Sequence, residues 1–244
     1  GFDISTMDSG LVWAGSIRYF PGYQTIERGY VVKFDKKLDT LWTKEIAHPD
    51  TAYADTCQNP WLMFTDVKVT PTGDYLISGN YNHQCQDARN RLFIIKMDPN
   101  GEILWWKFYP QFTHQDGLIG GIELASEDSG FYFKSFINPQ QRLYKLEKNG
   151  NIQWSIPVNL NQLKATEYGL RVYGDNIIIA NAYYIGTFPG RLCVTSVNVK
   201  TQIINWEKNF PGNRLNSIFL RGETMRIEIT KSGNIAIGMS GMQN

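Results

Sequence analysis

Histidine and cysteine are scarce in this 244-residue chain, with three of each. No His-x-x-x-His pair and no adjacent cysteines occur, so tight metal spacing and a vicinal disulfide are both missing. No run approaches 18 apolar residues, which excludes a membrane-spanning helix. Neither charge sign is in excess: Lys plus Arg is 24 and Asp plus Glu is 23, a net charge of +1. A nucleic-acid clamp or a polybasic membrane patch needs concentrated positive charge, so neither partner is expected. No charged-then-apolar leader opens the sequence; a signal peptide is either missing or removed. What is plentiful is aromatic residues at 14% and glycine, 22 against 10 prolines. Alternating, aromatic and Gly-punctuated stretches point to an all-β chain.

Two patterns recur in strict alternation. The first is a short alternating stretch, a polar turn with Gly, then an apolar run ending in a small residue. It starts at Ile4, Val67, Ile122, Leu170 and Ile227. The second is an apolar run, an acidic or amide residue, a turn, then Trp42, Trp105, Trp154 or Trp206. The Trp spacings are 63, 49 and 52, a period near 50 with connections of variable length. Turns such as Thr70 to Gly73 and Asp98 to Gly101 make each pattern a β-hairpin. Two hairpins per period give four antiparallel strands, a to d, and that repeating unit is a β-propeller blade. A β-sandwich has no reason to repeat its sequence.

The expected blades run about 2–46, 64–109, 121–158 and 169–210 of one β-propeller domain spanning 1–244, with a partial a–b hairpin at 225–241. Both ends then carry an a–b hairpin, whereas ring closure needs complementary ends. The expectation is four complete blades plus one hairpin, part of a larger ring whose remaining blades lie elsewhere in a longer chain. The four Trp residues are expected to pack between adjacent blades, where a large aromatic supplies apolar area.

Lys33 to Glu45 and Lys96 to Lys107 resemble the blade repeats of secreted propeller proteins of Bacteroidota, and the likeness extends blade by blade over nearly the whole chain. The resemblance implies secretion or display on the outer surface of the cell, type IX secretion, and a sorting domain further along the chain. The same motif is similar to the tryptophan-docking repeat of pyrroloquinoline quinone dehydrogenases and of the outer-membrane assembly propeller lipoprotein. There the acidic residue precedes Trp by eight positions. Here Asp35, Asp98 and Glu147 stand seven before their Trp and only Asn198 stands eight before, which favours the Bacteroidota type.

Strand direction sorts the connections onto two faces. The a–b and c–d turns are short. The b–c and d–a connections are long, at about 17–29, 47–63, 81–90, 110–120, 159–168, 184–190 and 211–224, and binding surfaces are built from such loops. Candidate ligand contacts there are Arg18, Tyr19, Tyr23, Tyr53, Trp61, Tyr81, Arg89, Phe112 and Tyr184, which could stack a sugar or anchor a protein. His48, His83 and His114 also fall there and are weak metal candidates. Cys57 and Cys85 flank one hairpin at the same end, so a disulfide between them is geometrically reasonable and implies an oxidising compartment. Cys193 reads as a small buried hydrophobe.

For catalysis the sequence offers no Gly-x-Ser-x-Gly elbow, no pairing of its scattered carboxylates and no cofactor motif. The expected function is therefore a non-catalytic secreted or surface propeller that binds a protein or glycan or serves a surface assembly. The alternative is part of a carbohydrate-active or quinone-dependent propeller enzyme. The two differ at the axis: the enzyme requires acidic residues or a cofactor lining the central channel.

Overall fold

A computed structural model describes residues 2–4, 8–19, 26–47, 61–83, 87–114, 121–125, 129–137, 140–158, 165–185, 188–211, 225–230 and 232–239. Within them the regular secondary structure is all strand, with no helix. Blade 1 holds β1 (Phe2–Ile4), β2 (Leu11–Tyr19), β3 (Ile26–Phe34) and β4 (Thr40–Ile46). Blade 2 holds β5 (Trp61–Val69), β6 (Tyr75–His83), β7 (Asp87–Met97) and β8 (Ile103–His114). In blade 3 lie β9 (Ile122–Leu124), β10 (Phe131–Ile137), β11 (Gln140–Leu146) and β12 (Ile152–Pro157). Blade 4 consists of β13 (Ala165–Tyr173), β14 (Asn176–Ile185), β15 (Phe188–Asn198) and β16 (Ile203–Pro211), and β17 (Met225–Ile229) and β18 (Ile235–Met239) form a further hairpin. Each blade is antiparallel in chain order. A single parallel pairing, Glu27 with Trp61, joins the first two sheets.

Period-two alternation gives blades 2, 3 and 4 two buried faces each, and the core lies in the seams between blades; on β2 of blade 1 the face opposite its seam carries the exposed Trp13. Val12 and Ala14 of β2 meet Tyr75 and Ile77 of β6. Leu76, on the other face of β6, meets Phe131 and Phe133. Tyr132 meets Ile177 and Ile179, and Ile178 and Ala180 meet Ile227. A one-residue slip would turn each strand inside out between two seams, so register is tightly specified.

The acidic or amide residue of the second pattern builds the c–d turn. Asp35 Oδ1 accepts the Lys37 and Asp39 N–H groups at 2.7 and 2.9 Å, and Asp98 Oδ1 accepts those of Asn100 and Glu102 at 2.9 and 2.8 Å. Asn198 does the same for Lys200 and Thr201. In each blade the residue just before Trp then has no cross-strand partner. Lys33 pairs Trp42 but Phe34 pairs Thr40, which skips Leu41; the same step skips Leu104, Gln153 and Asn205. This bulge rotates the strand locally and aims the indole at the next blade.

Several connections expected to be long are short. β6 runs to His83 and β7 starts at Asp87; β8 reaches His114; β14 and β15 are separated only by 186–187. Bulges between Tyr81 and His83, Arg91 and Leu92, and Tyr183 and Tyr184 let these ladders continue past positions where strict alternation fails.

Candidate functional site

The a strands lie side by side in the order β1, β5, β9, β13, β17. At one level each carries a charge. Asp3 pairs in register with Val12, Lys68 with Leu76, Glu123 with Tyr132, Arg171 with Ile178 and Glu228 with Ala236. The signs alternate: minus, plus, minus, plus, minus. Lys68 Nζ stands 2.8 Å from Glu123 Oε1, and Arg171 reaches the same oxygen at 3.5 Å.

A second carboxylate, Asp66, sits two residues before Lys68 on β5. Its Oδ2 accepts the Ile122 N–H at 3.1 Å and its Oδ1 the Val67 N–H at 2.9 Å. Asp3 does the same one blade earlier, its Oδ2 accepting the Val69 N–H at 2.8 Å. Gly121 makes room for Asp66: a Cβ there would stand 2.7 Å from Asp66 Oδ2. Burial raises the Asp66 carboxyl above its usual range, against the opposing pull of Lys68 and the two backbone N–H groups. Burial alone would lower the Lys68 ammonium, but Asp66, Glu123 and Asp3 outweigh it and the group is raised. The inner strands thus place acceptors and donors within one polar wall.

A second polar cluster is sealed in the seam between blades 3 and 4. Lys134 is only 2% exposed. Its Nζ donates to Gln141 Oε1 at 3.3 Å and to Asn181 Oδ1 across the seam. Burial drives this ammonium well below its ordinary range. Cys193, the register partner of Asn181, is buried there too, 3.8 Å from Thr195 Oγ1, and burial pushes its thiol up to about 11. The cysteine expected to be a plain apolar filler sits among polar neighbours.

At the far end of blade 1, Tyr19 Oη donates to Glu45 Oε2 at 2.9 Å, Arg28 pairs with Glu45 Oε1 at 2.5 Å, and Arg28 lies over the Tyr19 ring. Arg18 and Tyr19 are exposed here. Tyr81 is 4% exposed and meets Phe108 edge-on at 4.8 Å, so its ring packs the blade and faces no solvent. Trp61, Arg89, Phe112 and Tyr184 belong to β5, β7, β8 and β14, on strands where loops were expected. His83 and His114 close β6 and β8. Tyr23, Tyr53, His48, Cys57 and Cys85 lie outside the described residues. Among the described residues no group of three or more His, Cys, Asp or Glu is arranged to hold a metal, and no helix is long and apolar enough to cross a membrane.

Sequence reasoning missed the inner charges because each sits in a strand that reads as ordinary alternation. The signal was there to find: the polar position between the last two apolar residues of every a strand is charged, and its sign changes at each repeat.

The Trp residues occupy seams. Trp42 packs on Tyr75 of blade 2 with ring centroids 5.9 Å apart, and its Nε1–H donates to the Pro99 carbonyl at 3.2 Å. Trp105 stacks on Phe131 of blade 3, Trp154 joins the cluster between blades 3 and 4, and Trp206 joins the cluster that Ile227, Ile229, Ile235 and Ile237 of the last hairpin form with blade 4.

No protein-family model matches the chain, and no curated protein matches it. Solved structures do share its fold. An exo-β-1,3-galactanase from Clostridium thermocellum is 14% identical at a TM-score of 0.54, covering 93% of this chain and 51% of its own. An exo-β-1,3-galactanase from Phanerochaete chrysosporium, solved with galactose, is 11% identical at 0.59, covering 98% and 55%. A GH43 β-1,3-galactosidase solved with galactodeoxynojirimycin is 9% identical at 0.55, covering 96% and 92%. The chain spans about half the length of the first two. These likenesses establish a β-propeller fold shared with carbohydrate-active proteins.

Proposed function

We propose that this chain is a carbohydrate-binding propeller that works at the cell surface or outside the cell and takes a galactoside-type glycan against its inner strands. The observation that carries this reading is the charged wall of Asp66, Lys68, Glu123 and Arg171. A propeller serving only as a spacer needs no such groups on its inner strands, where burial penalises the charged forms of Asp66 and Lys68. Sugar hydroxyls are both donors and acceptors, and fixed carboxylates beside fixed cations satisfy both. The fold shared with the two galactanases and the galactosidase makes β-1,3-linked galactose the first ligand to test.

Hydrolysis is a second reading with an observation of its own. Burial raises the Asp66 carboxyl above its usual range, and Glu123 stands on the neighbouring a strand in ion pairs with Lys68 and Arg171. Glycoside cleavage uses a pair of carboxyl groups, the general acid being one whose environment raises it. Against it stands the engagement of both Asp66 oxygens by backbone N–H groups.

Titration calorimetry with β-1,3-galactobiose and galactotriose, run beside an assay for newly released reducing ends, tests both. Binding that weakens at least tenfold in Glu123→Gln and Asp66→Asn, with folding intact by circular dichroism, is the expected result. Reducing ends appearing in step with protein concentration make the protein a hydrolase. No binding and no cleavage across galacto-, gluco- and xylo-oligosaccharides overturns the reading. The mass of the non-reduced chain tests the extracellular placement through the expected Cys57–Cys85 bridge, which makes it two mass units light.

A further inference from the structure

The two seams that a Gly turn closes are gripped in the same way. On β4, Trp42 and Lys44 stand two residues apart. The Trp42 indole lies against the c–d turn of blade 2, its Nε1–H on the Pro99 carbonyl, and a Cβ at Gly101 would stand 3.2 Å from its ring. Lys44 Nζ reaches Glu102, the residue after that glycine, at 2.9 Å. On β8, Trp105 and Lys107 repeat the pair. A Cβ at Gly150 would be 3.2 Å from Trp105 and 3.0 Å from the Lys107 stem, and Lys107 Nζ reaches Asn151, again the residue after the glycine, at 2.5 Å. Both glycines hold a positive φ, +85° and +81°, so the indole seats where a side chain is excluded twice over.

The third seam is different on both sides at once. Trp154 is followed two residues later by Ile156, and the facing turn, Asn198 to Gln202, is one residue longer and has Gln202 at the positive φ. Lysine at Trp+2 therefore goes with a glycine turn that carries Glu or Asn next.

Blade 4 presents the gripping pair once more, as Trp206 and Lys208 on β16. Trp206 of blade 4 and Ile235 and Ile237 of the last hairpin pack against one shared buried cluster, as Trp42 and Tyr75 share the cluster of the first seam. Lys208 Nζ lies 5.8 Å over the Trp206 ring, in place to close on a turn laid across it. We propose that Trp206 and Lys208 form a docking site for a β-hairpin of c–d type, whose turn reads Asp/Asn-x-x-Gly followed by Glu or Asn and which pairs along β18. The indole takes the turn glycine and the preceding carbonyl, and the ammonium takes the side chain that follows. The argument is continuity with the two Gly-turn seams already formed, and it names the occupant by its turn chemistry.

The probe is a cyclised peptide of residues 93–107, the blade 2 hairpin with its Asp98 to Glu102 turn, added to the intact chain while the Trp206 indole N–H resonance is followed. The expected result is a saturable shift of that resonance. Lys208→Glu weakens it about tenfold, and a peptide with Lys in place of Glu102 restores binding to that variant. Circular dichroism keeps misfolding of the variant apart from loss of the contact. A Trp206 resonance unmoved at millimolar peptide, or a shift indifferent to the charge swap, overturns the proposal. So does concentration-dependent dimerisation abolished by Lys208→Glu, which replaces the hairpin with a second copy of the chain.

Discussion

Leu38 illustrates how far one residue can depart from its pattern. It occupies the turn position that Gly101 and Gly150 fill elsewhere, at φ 70° and largely exposed. The left-handed conformation costs a non-glycine residue about 1–2 kcal/mol, and the entropy glycine loses on folding offsets roughly half of that. Leu38→Gly should stabilise the protein by about 1 kcal/mol, a rise in melting temperature of about 2–4 °C by calorimetry. The reverse change, Gly101→Leu, meets both the strained φ and the Trp42 ring, and should cost at least as much as Leu38→Gly gains. Lys134 obeys a different rule. Lys134→Met leaves the Gln141 and Asn181 carbonyls buried without that donor, a loss of roughly 1–3 kcal/mol. Adding Asn181→Leu removes one of those acceptors, so the double variant should regain part of the loss in urea titrations; a double variant worse than the sum of the singles contradicts this reading.

At the scale of elements, the repeats, hairpins and turns were readable because each follows from local chemistry: Gly at positive φ, Asp or Asn capping a turn, apolar alternation along a strand. The bulge before each Trp was not. Leu41 and Leu104 look like apolar strand residues, yet they are 57% and 53% exposed because the chain steps outward there. Two readings of the same letters, one-residue slip or bulge, differ only in what the next blade offers the indole. Leu104→Thr should therefore change stability by less than about 0.5 kcal/mol, as exposed substitutions do. Deleting Leu104 removes the bulge and turns Trp105 away from Gly150, which should lower the urea midpoint far more. Strand length was also illegible, since a ladder that continues through a bulge breaks the period used to find its end. Of the candidate ligand residues, Arg18 and Tyr19 emerge exposed beside Arg28 and Glu45, whereas Tyr81 is consumed by packing on Phe108.

For the whole molecule, the seams share a sensitivity to base. Burial raises the Tyr75 and Tyr144 phenols to about 12 and Tyr109, which donates to the Gly150 carbonyl at 2.6 Å, above that. Their unfolded values lie near 10. The unfolded chain therefore releases these protons first, so the stability they contribute is complete below pH 10 and is lost as pH climbs towards 12. Lys68, also raised, acts in the same direction, because the ammonium facing Glu123 is neutralised over the same range. Urea midpoints should be steady up to about pH 9.5 and then fall, with tyrosinate absorbance appearing together with loss of near-ultraviolet dichroism. A midpoint flat to pH 12 contradicts the assignment of these phenols to the seams.

The alternation of sign along the inner strands bears on how such an array can lengthen. A gene segment encoding one blade, copied in place, would set two like charges side by side at the level of Asp3, Lys68, Glu123, Arg171 and Glu228. A segment encoding two blades, copied together, would keep every neighbour opposite. Descent by doublets leaves a trace that can be read in sequence alone: blades two apart should resemble each other more closely along their inner strands than blades that touch.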